Sequence, residues 1–184
     1  MTRILALSGS LRKDSFNTAL ARAAARVGPG DAQLDVATLH GIPLYDGDLE
    51  AAEGIPPAVQ ALREKILTHD GLLLVTPEYN NGIPGVFKNG IDWLSRAGLR
   101  EIFGGLPVGV IGASPGGWGT LLSQTAWQPT LKLLGTELYS GGGLYVSRAN
   151  TLIEAGELTD ANSLAALRQY LEGFARFVAK HRRG

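Results

Sequence analysis

The stretch Ser8-Gly9-Ser10-Leu11-Arg12-Lys13-Asp14-Ser15-Phe16-Asn17 decides how this chain begins to fold. It follows a short apolar run at residues 4–7 and precedes an alanine-rich segment at residues 18–26. The first run is typical of a buried strand and the second of a helix, so the quoted stretch, called loop 1 below, joins a strand to a helix. Unpaired backbone N–H groups and the positive end of the helix dipole meet at such a junction, and this favours a bound phosphate.

The side chains of loop 1 suit the same ligand. Ser10, Ser15 and Asn17 can add hydrogen bonds, and Arg12 can add a charge-assisted one. A purely structural interpretation is also open, in which Ser15 caps the helix and Gly9 makes a turn. The dinucleotide pattern G-x-G-x-x-G and the Walker pattern are both absent from this chain, which argues against a nicotinamide-binding Rossmann site and against an NTPase.

Strand-like and helical segments alternate along the whole chain. Strands are predicted at residues 3–7, 33–39, 71–76, 107–113 and 139–146, and helices at residues 16–27, 57–68, 86–95, 121–134 and 162–182. This alternation indicates an α/β fold with a parallel sheet. We expect residues 1–184 to form a single domain, a flavodoxin-like three-layer sandwich whose five strands have the order 2-1-3-4-5.

Composition excludes several classes of function. The chain has 17 basic and 17 acidic residues and a formal net charge of zero, which offers no electrostatic footprint for nucleic acid or an anionic membrane. It has no cysteine, so disulfides and thiolate chemistry are impossible, and its scattered histidines predict no metal site. Since neither a signal peptide nor a long apolar segment is visible, we expect a cytoplasmic protein.

Two further loops are expected to lie beside loop 1, because ligands of open α/β sheets bind at the carboxyl ends of the strands. Loop 3 (residues 76–85) carries Tyr79 and Asn80 between two prolines, and it can line a flat heteroaromatic ring or serve as a plain strand-to-helix turn. Loop 4 (residues 113–120) is rich in glycine and carries Trp118, a candidate stacking or lid residue that could equally fold onto the core.

No hydrolytic site competes well with this interpretation. Ser10 and Ser114 lack the G-x-S-x-G elbow. His40, in the loop after the second strand, could approach the site but is interpreted as a surface residue. The acidic residues of 46–50 are interpreted as part of a solvated connection rather than as metal ligands.

Two groups of motifs resemble the NADPH-dependent FMN reductase family, which is flavodoxin-like and includes quinone, azo-dye and chromate reductases. They are Gly9-Ser10-Leu11-Arg12 with Ser15-Phe16-Asn17, and Pro77-Glu78-Tyr79-Asn80 with Ile83-Pro84-Gly85 and Lys88-Asn89-Gly90-Ile91-Asp92-Trp93. The similarity extends over nearly the whole chain and includes the weaker motif Ser114-Pro115-Gly116-Gly117, whereas residues 125–143 depart from the family pattern.

The resemblance implies FMN as the cofactor and assigns residues to it. It implies that the phosphate and the adjoining chain are held by Ser10, Arg12, Ser15, Phe16 and Asn17. It further implies that the isoalloxazine is lined by Pro77, Glu78, Tyr79 and Asn80, with Ser114 and Gly117 near its other polar edge. Relatives in this family are commonly dimers or tetramers, so a homodimer or homotetramer is expected.

The implied activity is an NAD(P)H oxidoreductase. Hydride would pass from the nicotinamide through flavin N5 to a quinone, azo, flavin or metal-oxyanion acceptor in a ping-pong cycle, and no side chain stands out as a catalytic acid or base. The alternative is a non-enzymatic electron carrier of the flavodoxin type, against which zero net charge and Arg12 both weigh. A flavin-free regulatory protein would be a third possibility, with loop 1 empty.

Overall fold

A parallel sheet forms the middle layer of the molecule. The computed structural model describes residues 1–183. The main strands are β1 (Thr2–Ser8), β2 (Ala32–Ala37), β3 (Gly71–Val75), β4 (Pro107–Ala113), β5 (Glu137–Leu138) and β6 (Leu144–Val146). Their order is β2-β1-β3-β4-β5, with β6 also paired to β4, and each neighbouring pair is parallel. The predicted fold class and strand order are confirmed.

Helices cover both faces of this sheet. They are α1 (Phe16–Val27), α2 (Gly47–Glu53), α3 (Pro57–Leu67), α4 (Gly85–Arg96), α5 (Leu99–Phe103), α6 (Leu121–Leu133) and α7 (Ala161–Lys180). One buried cluster joins the sheet to α1 and α7 and includes Leu20 and Phe174, and the other joins it to α3, α4 and α6 and includes Trp93 and Trp127. Strand β3 is buried along its whole length, as its unbroken apolar sequence predicts for a strand covered on both faces.

The predicted fifth strand at residues 139–146 is wrong as a single element. The structure has two short strands instead, and both pair with β4. The chain between them contains consecutive glycines at positions 141–143, and Gly142 adopts a φ of 147°. Because glycine lowers strand stability and admits a conformation that other residues avoid, the chain leaves the sheet here and returns.

The acidic connection after β2 also differs from its interpretation. Residues 47–53 form α2, and the carboxylate of Asp46 caps this helix by accepting a hydrogen bond from the Asp48 N–H at 2.8 Å. Glu50 accepts hydrogen bonds from the Arg96 guanidinium. A small hairpin, β7 (Ile153–Glu154) with β8 (Glu157–Leu158), and the short helix α5 were not predicted either. Elements this short have too few residues to show a periodicity.

Within residues 1–183, no helix is both long enough and apolar enough to cross a membrane.

Candidate functional site

A cleft lies at the carboxyl end of the sheet, where loops 1, 3 and 4 meet. It encloses about 70 Å³. Its lining consists of Ser10, Arg12, Ser15, Phe16, Asn17, Pro77, Glu78, Tyr79, Ala113, Ser114 and Pro115. Three segments that are far apart in the sequence therefore share one concave surface, at the sheet edge where open α/β folds bind ligands.

Loop 1 leads into helix α1 and leaves several of its backbone donors unpaired. The Ser15 hydroxyl oxygen caps the helix by accepting from the N–H groups of Asn17 and Thr18, each at 3.2 Å. The N–H groups of Ser10, Leu11, Lys13, Asp14 and Phe16 have no acceptor among residues 1–183. Polar groups left unpaired at a helix N-terminus are ready to bind an anion.

The charge of loop 1 is also available. No carboxylate of residues 1–183 lies within ion-pair distance of the Arg12 guanidinium. This guanidinium lies 5.8 Å from the ring centroid of Phe16, a separation suited to a weak cation–π contact. The contact holds the cation at the rim of the cleft without neutralising it.

Gly9 and Asn17 hold loop 1 in place. A Cβ at Gly9 would lie 2.0 Å from Cδ1 of Phe87, so this glycine allows α4 to approach closely. The Asn17 side chain pairs with one residue of β4: its Nδ2 donates to the Ala113 carbonyl at 2.8 Å, and its Oδ1 accepts from the Ala113 N–H at 2.9 Å. Asn17 therefore ties loop 1 to loop 4 across the end of β3, and one Nδ2 hydrogen remains for a ligand.

Loop 3 contains a tight turn that the sequence analysis did not recognise. Tyr79 and Gly82 exchange backbone hydrogen bonds at 3.2 and 3.0 Å, and the residues between them, Asn80 and Asn81, have φ values of 50° and 60°. Two successive positive φ angles define a type I′ turn, for which Asn and Gly are the preferred residues. The sequence Asn80-Asn81-Gly82 was the signal for it.

Glu78 connects loop 3 to helix α6. Its Oε2 accepts hydrogen bonds from the N–H groups of Leu122 at 2.8 Å and Ser123 at 2.9 Å. Thr120, at the N-cap position of α6, makes no side-chain capping bond. The Ser123 hydroxyl also lies 2.9 Å from that of Thr76, so the first turn of α6 is attached to the end of β3 at several points.

Loop 4 is closed by a serine and leaves an aromatic side chain in solvent. The Ser114 hydroxyl donates to the Gly119 carbonyl at 2.6 Å. The N–H groups of Gly117 and Trp118 have no acceptor among residues 1–183. Trp118 is 79% exposed and Tyr79 is 48% exposed, so the interpretation of Trp118 as a core residue is wrong. Tyr79 belongs to the lining of the cleft, and Trp118 does not.

The cleft gathers most, but not all, of the residues singled out from the sequence. Asn80 and Gly117 are exposed and lie outside its lining. Sequence reasoning missed Ala113 and Pro115 as lining residues, since nothing but their position at the end of β4 marks them. His40 is exposed, as expected, and its Nε2 donates a hydrogen bond to the Leu11 carbonyl oxygen of loop 1 at 3.2 Å.

These features define an α/β domain in which loops 1, 3 and 4 form one cleft at the carboxyl end of the sheet. Comparison with known proteins identifies the family. The model of the NADPH-dependent FMN reductase family matches residues 2–151, and the chain belongs to this family. Membership points to FMN as the cofactor and NAD(P)H as the co-substrate of this enzyme.

Individual relatives are similar over nearly their whole length. The chain is 35% identical to a 2-hydroxy-1,4-benzoquinone reductase from a Burkholderia species, covering 98% of each protein. It is 37% identical to an NAD(P)H-dependent FMN reductase of Pseudomonas aeruginosa, covering 98% of this chain and 97% of that protein. The solved structure of FerB, a flavoenzyme NAD(P)H:(acceptor) oxidoreductase from Paracoccus denitrificans, aligns over 100% of both chains with a TM-score of 0.87 and 32% identity.

Proposed function

We propose that residues 1–184 form a single FMN-binding domain that passes reducing equivalents from NAD(P)H to a quinone or another small oxidised acceptor. The observation that carries this proposal is the shared cleft, which brings the donor-rich loop 1 together with the aromatic loop 3 and the glycine-rich loop 4. Its chemistry suits a phosphate at one end and a flat polar ring at the other.

The phosphate would be held by loop 1. Its unpaired N–H groups and the α1 dipole would bind the phosphate oxygens, and the Ser15 hydroxyl can donate because its oxygen already serves as the helix cap. The Arg12 guanidinium supplies the charge that pairs with the dianion. We assign Ser10, Arg12, Ser15, Phe16 and Asn17 to this end of the cofactor.

The ring would lie against loops 3 and 4. When bound, FMN supplies the hydride-transfer chemistry at its N5 atom, while the protein orients the ring and the substrate. The unpaired N–H groups of Gly117 and Trp118 would stabilise negative charge at the polar edge of the ring. The residues assigned to the ring are Pro77, Glu78, Tyr79, Asn80, Ser114 and Gly117.

The cycle would be ping-pong, because nicotinamide and acceptor would use the same open face of the ring, beside the exposed Tyr79. NAD(P)H gives up one hydride and is oxidised to NAD(P)⁺. A quinone gains both electrons of the hydride and two protons, and becomes a hydroquinone. One proton arrives with the hydride and the other is taken from solvent. Azo compounds, free flavins and metal oxyanions such as chromate are further candidate acceptors.

Steady-state kinetics of the FMN-loaded protein tests the proposed activity. Initial rates with NADH or NADPH and a panel of acceptors should give parallel lines in double-reciprocal plots. Intersecting lines would contradict the ping-pong order. If neither nucleotide bleaches the bound flavin in a stopped-flow trace, the reductase assignment fails and the electron-carrier alternative is favoured.

The Arg12→Ala variant tests the phosphate assignment. A charge-assisted hydrogen bond contributes about 1.5–3 kcal/mol, so FMN should bind roughly 10- to 150-fold more weakly, while riboflavin, which lacks the phosphate, should bind as before. Lys13→Ala, which removes an exposed charge from the next position, is the matched control. Equal weakening of FMN and riboflavin by Arg12→Ala would contradict the assignment.

We further propose a cytoplasmic homodimer or homotetramer. Supply of reduced nicotinamide nucleotides inside the cell supports the location. Exposure of the apolar side chains of Trp118, Leu122 and Tyr145 supports association, since burying such side chains drives it. Light scattering on the purified protein measures the oligomeric state, and a monomeric mass would overturn that part of the proposal.

A further inference from the structure

Helix α6 begins without a capping residue of its own. The first N–H groups of a helix need acceptors, and the N-cap side chain normally supplies one. Here the Thr120 hydroxyl instead accepts a hydrogen bond from the Gln124 side chain at 3.0 Å. The donors of Leu122 and Ser123 are satisfied by Glu78, which comes from a different loop.

A carboxylate is the strongest acceptor available for this position. Both hydrogen bonds are charge-assisted, and the negative charge lies at the positive end of the α6 dipole. The same bonds restrain Glu78, which lies next to the type I′ turn of Tyr79–Gly82. A bond that caps α6 therefore also fixes loop 3.

We propose that Glu78 is a positioning residue for the ring-binding surface, acting through helix α6. This inference rests on the proposed function and deepens it. It gives Glu78 a role in the surface that would hold the ring and no role in the loop that would hold the phosphate. Loop 4 leads directly into α6, so Glu78 fixes loops 3 and 4 relative to one another. Loop 1 is attached to loop 4 by a different residue, Asn17.

Flavin binding by three variants tests the proposal. Glu78→Ala should weaken FMN and riboflavin by the same factor, at least about tenfold, because both carry the ring. Glu78→Gln keeps an acceptor oxygen without the charge, so it should bind both flavins more tightly than the Ala variant. The matched control is Asp160→Ala. The carboxylate of Asp160 caps α7 by accepting a 2.7 Å hydrogen bond from the Ser163 N–H, away from the cleft. This variant should bind both flavins as the unaltered protein does.

Several outcomes would overturn the role of Glu78. The Glu78→Ala variant could bind both flavins as before, or lose affinity for FMN alone. The Glu78→Gln variant could bind both flavins as poorly as the Ala variant. Failure of the unaltered protein to bind FMN would instead overturn the proposed function, so the two failures are distinguishable.

Hydrogen exchange of the unaltered, flavin-free protein gives a test that needs no variant to fold. The amides of Leu122 and Ser123 should be protected, although first-turn amides of a helix ordinarily exchange fast, and the unpaired amides of Gly117 and Trp118 should exchange rapidly. Equal, fast exchange at all four positions would overturn the proposal.

Discussion

Loops 1 and 3 line the same cleft but differ in how their hydrogen-bonding groups are paired. Loop 1 leaves N–H groups unpaired and a guanidinium without a carboxylate. Loop 3 closes on itself through the Tyr79–Gly82 turn and is fixed to α6 by Glu78. An anion site needs donors that are free until the ligand arrives, whereas a surface for a flat ring needs a rigid shape. The difference therefore fits the proposed function, in which loop 1 holds a phosphate and loop 3 lines a ring.

The largest loss of stability is expected from Gly112→Ala, which crowds the side of the cleft formed by loops 3 and 4. The added Cβ would lie 2.1 Å from the Thr76 carbonyl oxygen and 2.2 Å from the Thr120 hydroxyl oxygen, between the end of β3 and the start of α6. We expect a loss of about 1–3 kcal/mol or more in the free energy of unfolding, measured by chemical denaturation. Gly30→Ala, with no atom within 4 Å of its Cβ, is the control. Similar denaturation midpoints for the two variants would contradict the close packing.

Asn17→Ala, which breaks the link between loops 1 and 4, should cause the next largest loss of stability. The Ala113 N–H and carbonyl would lose their partners in a buried position, and we expect this to lower the free energy of unfolding by about 1–3 kcal/mol. Denaturation is the measurement, and Asn162→Ala, at an exposed position in the first turn of α7, is the control. If both asparagine variants unfold at the same denaturant concentration, Asn17 does not connect the loops as described.

The rigidity of loop 3 can be tested alone with Asn81→Val. A β-branched residue at a φ of 60° is strained, at a cost of about 1–2 kcal/mol, whereas Asn81→Gly should be tolerated because glycine accepts this angle. Thermal unfolding of the two variants measures the difference. A valine variant as stable as the glycine variant would show that the turn is not required.

The smallest effect is expected from a pair remote from both loops. The hydrogen bond from His69 to Asp35, 2.9 Å long, holds the pKa of the Asp35 carboxyl below its ordinary value of 3.8. A carboxyl with a lowered folded-state pKa stabilises the protein above the unfolded pKa, and this stability is lost as the pH falls through the folded pKa. The free energy of unfolding should therefore fall between about pH 4 and the lower folded pKa of Asp35, and the fall should be smaller in Asp35→Asn. An identical acid dependence in both proteins would contradict the assignment.

Much of this arrangement was predictable from local patterns. Unbroken apolar runs such as residues 72–75 indicate buried parallel strands, and alternation with helices then restricts the strand order, so the positions of loops 1, 3 and 4 on one edge followed. Short elements were not predictable in this way. Helix α2 and the strands β5 and β6 depend on a cap, on glycines and on pairing partners rather than on periodicity.

The sequence by itself determined the alternation of strands and helices, the edge of the sheet that carries the cleft, and the hydroxyl, amide and guanidinium groups of loop 1. These properties depend on residue type and on neighbours in the chain. Only the tertiary structure decided that Asn17 pairs with Ala113, 96 residues away in the chain, and that Glu78 caps helix α6 through Leu122, 44 residues away. A hydrogen bond between distant segments depends on where the fold places them, and side-chain chemistry alone does not specify its partner.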